Sequence, residues 1–278
     1  MILWAAGRCQ RLRTQRTLNL PNRTRTDGGR DDSGPRSYPQ GFFTPAPRAS
    51  QILLIRHGQS AAYVPGRPFP LVDGHGDPHL SELGHYQARL VADRLASEPI
   101  SSIYVSTLTR THQTAAPLAE TLGLEPRVEP DLREVFLGEA EGGVLREMFA
   151  NGHPVTQRLR RSRDLGVIPG AESNAKLTDR TVGAVNRIVD RHQGEMVAVF
   201  CHGGVIAALL QHAAKAVTGA FFGARHTSIN HLVVQHADSP AEAETVGTTS
   251  NDEPQWIIRS FNDGAHAGGL TADHIPGG

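Results

Sequence analysis

An arginine and a histidine stand side by side at positions 56 and 57, between the apolar run Ile52-Leu53-Leu54-Ile55 and Gly58. A second apolar run, residues 196–200, ends in Cys201-His202-Gly203-Gly204-Val205. A guanidinium is a planar fork of donors suited to phosphate oxygens. An imidazole can attack as a nucleophile or move a proton near neutral pH. Paired glycines at the start of a helix expose backbone N–H groups, a ready anion site. Phosphoryl transfer asks for such parts: positive charge around three equatorial oxygens, an in-line nucleophile and a proton for the leaving oxygen. Taken singly, Arg110 and Glu134 read as solvated charges and His202 as a satisfied core histidine. The chemical reading comes from having them together at four strand-to-helix junctions.

The elements that must position them follow from the pattern. Residues 51–55 read as a buried strand of a parallel or mixed sheet. Its carboxyl end delivers Arg56 and His57 to the crevice where open α/β sheets bind ligands, and Gly58 would let the backbone approach a ligand. After a Pro- and Gly-rich loop, Ser81 is a good N-cap for a helix whose apolar positions, Leu83, Leu90, Val91 and Leu95, keep helical spacing. A strand over 100–105, a helix to Gly123, a short strand at 127–129, a helix and loop over 143–168 and a long helix over 174–193 are predicted next. The strand at 196–200, a helix opened by Gly203 and Gly204, and alternating strands over 227–235 and 255–261 complete the set, with an acidic loop over 237–253.

The junctions carry a resemblance. Leu54-Ile55-Arg56-His57-Gly58-Gln59-Ser60 is similar to the signature of the histidine phosphatase superfamily, the fold of cofactor-dependent phosphoglycerate mutases and acid phosphatases. Asp77-Pro78-His79-Leu80-Ser81 resembles that family's opening of its first helix, and Ser106-Thr107-Leu108-Thr109-Arg110 with Gln113-Thr114 its second block. Leu132-Arg133-Glu134 with Gly138, Glu141 and Gly142 resembles the third, Gly170-Ala171-Glu172-Ser173 a helix opening, and His202-Gly203-Gly204 the fourth. The resemblance implies a three-layer α/β/α sandwich with a mainly parallel sheet, phosphoglycerate mutase-like, over residues 50–263. It further implies His57 as the nucleophile that becomes phosphohistidine and Glu134 as the group that protonates the leaving oxygen and then activates water. Arg56, Arg110 and His202 complete the expected catalytic set, and Arg56, Gln59, Arg110, His202 and Gly203 the phosphate contacts. No metal and no cofactor are implied. Tyr63 departs from the family, which carries Asn or Ser six residues after the nucleophile, so an altered pocket entrance is expected. Arg67, Arg146 and Arg158 are candidate substrate contacts by their place in variable loops.

The expected activity is that of a phosphomonoesterase acting on a small phosphorylated metabolite. A phosphoglycerate mutase is the alternative, and a catalytically silent binding module on the same fold a third. The segment from Glu134 to Glu172 is 38 residues, shorter than the lysine-bearing lid of mutases, which favours hydrolysis because water reaches the phosphohistidine. Cys201 is not a thiol nucleophile of the C-x5-R type, since Ala207 stands where arginine is needed.

Composition bounds the rest. A chain of 278 residues, 38% hydrophobic, suffices for one sizeable core. Residues 1–49 hold nine arginines against Asp27, Asp31 and Asp32, a net of +6, which leaves −6 for the remainder of a chain of zero formal charge. Nothing in this balance suggests nucleic-acid binding by the folded part. The stretch 1–49 lacks hydrophobic periodicity and is expected to be a disordered basic tail: a transit peptide, an upstream start or, least favoured, a basic arm that binds polyanions. Residues 264–278 are expected to be a flexible tail. Two cysteines, Cys9 and Cys201, give no disulfide framework and point to a cytoplasmic, reducing compartment. No apolar run reaches the roughly 18 residues of a membrane span. A homodimer is compatible with all of this.

Overall fold

The computed structural model describes residues 40–235 and 254–268. The expectations for residues 1–39, for the acidic loop at 237–253 and for 269–278 lie outside the described residues. Residues 40–43 belong to a first unit and carry no regular structure. Every strand and helix among the described residues belongs to the second unit, which starts at Thr44.

The first strand, β1 (Ser50–Arg56), shows why an uninterrupted apolar run is needed. Side chains alternate across a strand. Ile52 and Leu54 join the cluster built with α-helical residues Val185, Ile188 and Leu209, while Leu53 and Ile55 join the opposite one, with Val91, Leu95 and Leu118. Both faces are covered, so neither can be polar.

A two-strand hairpin, β2 (Leu71–Val72) and β3 (His75–Gly76), sits inside the Pro- and Gly-rich loop. Helix α1 (Glu82–Leu95) starts as expected, with Ser81 Oγ accepting the Gly84 N–H at 3.1 Å. Strand β4 (Ile100–Val105), helix α2 (Thr109–Leu122) and strand β5 (Arg127–Val128) follow, with Gly123 closing α2 at φ 65. Residues 143–168 hold two short helices rather than one, α3 (Val144–Ala150) and α4 (Pro154–Ser162). Gly152 at φ 66 ends the first, and Pro154 begins the second with His153 as its cap. Helix α5 (Asn174–Arg191), strand β6 (Met196–Cys201), helix α6 (Gly203–Ala214) and strands β7 (Ile229–Gln235) and β8 (Gln255–Asp263) complete the chain.

The six-stranded sheet has the order β5-β4-β6-β1-β7-β8. Strand β1 pairs parallel with β6, and β4 parallel with β6 and β5; β7 is antiparallel to both β1 and β8. Of these six, β7 alone therefore runs against the rest. Helices α5 and α6 cover one face, α1 and α2 the other, which makes the predicted three-layer sandwich. The fold begins before β1 and ends after β8. Ala49 is buried, Arg48 donates to Gln193 Oε1 at 2.8 Å, and Ala265–Ala267 form a 3-10 turn beyond residue 263.

Where α5 leads into β6, a polar chain ties helix to sheet. His192 Nδ1 lies 2.8 Å from Glu195 Oε2 and its Nε2 3.1 Å from the Tyr104 hydroxyl, while Ser101 Oγ donates to Glu195 Oε2 at 2.6 Å. The Ser101 and His192 bonds hold the Glu195 carboxyl below its usual range. A carboxyl lowered in the folded state stabilises above its unfolded pKa, and that contribution fades as pH falls through the folded value. Glu195→Gln should therefore lower Tm by roughly 1–3 °C at pH 7, the size expected of a half-exposed bond. The gap to the parent should close as melting curves are taken down to pH 3. A gap that stays constant with pH would assign the effect to packing instead.

Candidate active site

The register between β1 and β6 decides the site. Arg56 and Cys201 are Cα partners at the end of the parallel pair, so the next residues, His57 and His202, emerge side by side. Their ring centroids are 5.2 Å apart. His57 Nδ1 lies 2.7 Å from the Gly58 carbonyl and must donate to it, which leaves Nε2 with a free lone pair. Burial, then the charges of Arg110 and Arg56, push the His57 pKa well below the ordinary imidazole value. The ring is neutral and nucleophilic at physiological pH. His202 is fully buried and lowered in the same way, by burial and then Arg110. Its Nε2 meets Ser106 Oγ at 2.9 Å, while Nδ1 is buried with no partner.

The arginines are held from behind. Arg56 NH1 donates to the Ala224 carbonyl at 2.6 Å, and its Nε is buried and unpartnered beside Gly203. An unpaired buried donor of this kind fits a ligand oxygen. Arg110, at the start of α2, donates to Gly76 O at 3.0 Å and lies 3.7 Å from Asp77. Asp77 also accepts from Thr109 N and Oγ1, at 2.9 and 2.6 Å, and so supplies the cap that α2 lacks in its own sequence.

Glu134 reaches the same cavity from the loop after β5. Its Oε1 accepts from Val135 N at 3.0 Å and Gly204 N at 3.1 Å. A Cβ at Gly204 would stand 2.4 Å from that oxygen, so only glycine lets the carboxylate reach the α6 terminus. The sequence expectation of a vacant amide pair is corrected here: Gly204 N–H is taken by Glu134. A Cβ at Gly58 would meet Gly84 O at 2.6 Å, so this glycine also serves close packing on α1.

A clamp that sequence reasoning missed fixes the Glu134 loop. Arg180 donates to the carbonyls of Asp131, Arg133 and Glu134 at 2.5, 2.8 and 3.0 Å. It also grips Glu172 with two bonds, at 2.7 and 2.9 Å. Burial alone would raise the Glu172 carboxyl, but the Arg180 bonds and charge hold it below its usual range.

A cavity of about 660 Å³ gathers Arg56, His57, Gln59, Arg110, Glu134 and Arg146 on one wall system. His202 and Gly203 stand behind it, against His57 and Arg56. Of the arginines proposed from loop position, Arg146 faces the cavity, stacked over Phe69 at 5.0 Å; Arg67 and Arg158 do not line it. Tyr63 packs on Phe69 and donates to Glu147 at 3.2 Å, so it shapes the rim. His226 also lines the cavity, although no motif in the sequence contains it. Among the described residues no three His, Cys, Asp or Glu side chains are placed to hold a metal. A larger cavity, about 830 Å³ and mostly apolar, lies between α4, α5 and α6. The chemistry belongs to the smaller one, where guanidiniums, imidazoles and a carboxylate converge. The Cys201 thiol is fully buried and pushed far up by that burial, which excludes it as a nucleophile.

An α/β sheet whose strand ends present a neutral histidine between two guanidiniums defines a phosphoryl-transfer site. The chain belongs to the histidine phosphatase superfamily (branch 1), whose profile matches residues 52–245. It is 36% identical over 167 residues to a phosphoglycerate mutase-like protein 4 of Arabidopsis thaliana, covering 59% of this chain and 71% of that one. It is 29% identical over 221 residues to a metal-independent phosphoserine phosphatase of the same plant, covering 78% and 83%. A mycobacterial glucosyl-3-phosphoglycerate phosphatase superposes with a TM-score of 0.61 at 28% identity, over 77% of this chain and 99% of the other.

Replacing Arg180 by Met should release the Glu134 loop. Stability should fall by about 2 kcal/mol, the size expected when partly buried hydrogen bonds lose their donor, or roughly 4–8 °C in Tm. At temperatures where the variant stays folded, kcat should drop by about tenfold or more while vanadate affinity stays within about twofold, because Arg56 and Arg110 have their own supports. Unchanged turnover would show that the loop holds itself.

Proposed function

We propose that this chain is a metal-independent phosphomonoesterase that hydrolyses a small phosphorylated metabolite in the cytosol through a phosphohistidine. One observation carries the reading: the neutral His57, its Nε2 free, lies between Arg56 and Arg110 in the cavity that Glu134 enters. Nε2 attacks phosphorus in line, the ester P–O bond breaks, and Glu134 gives its proton to the departing oxygen. Water then attacks the phosphohistidine, Glu134 takes the proton back, and inorganic phosphate leaves. Arg56 and Arg110 carry the oxygens, with Gln59 at the edge of the cavity and His202 and Gly203 backing His57 and Arg56. The phosphatase names of two relatives support hydrolysis over transfer. So does the chain between Glu134 and Glu172, whose short helices α3 and α4 leave Arg56 and Glu134 partly exposed to water.

A proton donor matters in proportion to how poor the leaving group is. Glu134→Gln should slow hydrolysis of an alkyl phosphate by about 10²–10⁴-fold, with a much smaller loss of the first step on nitrophenyl phosphate. Because the same carboxylate activates water, phosphohistidine should accumulate and give a burst of nitrophenol. His57→Ala should abolish burst and turnover with both esters, and chelator should change neither. Equal losses on both leaving groups without a trapped phosphoenzyme would falsify the assignment of Glu134.

A further inference from the structure

We propose that His226 is a further substrate-contacting residue, donating a hydrogen bond to the phosphoryl group held at His57. The proposal rests on the phosphohistidine reading of the site. His226 comes from the loop before β7. That strand is antiparallel to β1, so its amino end lies at the edge where the parallel strands finish. Its ring centroid is 6.0 Å from that of His57, tilted by 47°. The ring lines the catalytic cavity and also a neighbouring one of about 400 Å³; Arg56 is the other residue common to both.

The loop is built to hold this side chain. Arg56 grips Ala224 O, Arg225 N donates to Asn262 Oδ1 at 2.7 Å, and Thr227 N donates to Arg56 O at 3.0 Å. Thr227 is fully buried at φ 55, in the left-handed region a β-branched residue rarely occupies. It donates its hydroxyl proton to the His226 carbonyl at 2.7 Å. Backbone strain maintained beside a catalytic group points to a position fixed for use.

The electrostatics name the chemical class of the missing partner. Among the described residues, no hydrogen bond reaches the His226 ring. The charged groups facing it are Arg56 from β1 and Arg146 from α3, with the neutral His57 beside it. Burial first, then those two guanidiniums, hold the ring at a pKa of about 4, so it stays neutral with one N–H to give. A donor standing in a positive field awaits an anion, and the anion this cavity takes is the phosphoryl group.

The test uses the full chain and orthovanadate as the probe. His226→Phe keeps a ring but no donor; His226→Gln restores an N–H. Vanadate should bind the Phe variant about 10–100-fold more weakly, the worth of a hydrogen bond to a charged group, with KM rising and the Gln variant regaining most of the loss. In the unmodified protein, the His226 ring nitrogens should shift in ¹⁵N spectra on adding vanadate, a readout that needs no variant to fold. Equal vanadate affinity in the Phe variant, or a ring signal blind to vanadate, would overturn the proposal. Trapping of phosphohistidine in the same samples is scored separately. Its absence from the unmodified protein would remove the catalytic reading, while a vanadate-sensitive His226 would still mark an oxyanion contact.

Discussion

The in-register parallel pairing of β1 with β6 is the constraint on which the rest depends. Six residue pairs, from Gln51 with Met196 to Arg56 with Cys201, bring two strand ends level. A slip of one residue would turn each strand's side chains to the opposite layer and bury Arg56 where Ile55 now packs. The apolar composition of both strands guards against that slip, because Ile52 and Leu54 are matched to one helix layer and Leu53 and Ile55 to the other. Register, core and the 5.2 Å spacing of the two histidines are thus one structural fact.

Positioning of charge follows the same logic at shorter range. Each guanidinium is held by groups that ask little of its outward donors: Arg56 by a carbonyl, Arg110 by Gly76 O and Asp77. Their directions are set before any ligand arrives, which is what makes oriented charge effective at a reacting centre. Glu134 is placed differently, through the backbone of its loop, by Arg180 and Glu172 from the far side. Its side-chain oxygens are held as well, by the Val135 and Gly204 N–H groups.

Much of this is legible in the sequence because strand ends and helix starts have local signals. The apolar runs, Ser81, Ser173 and the glycine at 123 mark the elements, and the motif residues at strand ends mark the site. The misses have a common cause. Asp77 caps a helix thirty-odd positions away, Arg180 reaches back to a loop from mid-helix, and His226 precedes the strand that runs against the rest of the six-stranded sheet. None of these relations has a local periodicity. Knowing that β7 is antiparallel is enough to bring its amino end, and His226 with it, to the active edge. Two short helices stand where the weak pattern of 143–168 predicts one, because Gly152 and Pro154 act as a stop and a start.

The neutrality of the histidines, set first by burial, is reinforced by the same guanidiniums that attract phosphate. Arg56, Arg110 and Arg146 cannot relieve their mutual repulsion by losing protons, since guanidinium stays charged at any physiological pH. The histidines can, and burial pushes them the same way, so His57 and His226 give up their charge and keep their lone pairs. What remains is a positive field with no mobile charge of its own left to answer it. Asp77 and Glu141 answer part of it but are tied to backbone N–H groups at Thr109 and Gly76. A phosphate dianion satisfies the rest. Burial first, and then the charges of Arg110 and Arg56, keep Nε2 of His57 free of its proton, and the same two arginines draw the phosphate to it.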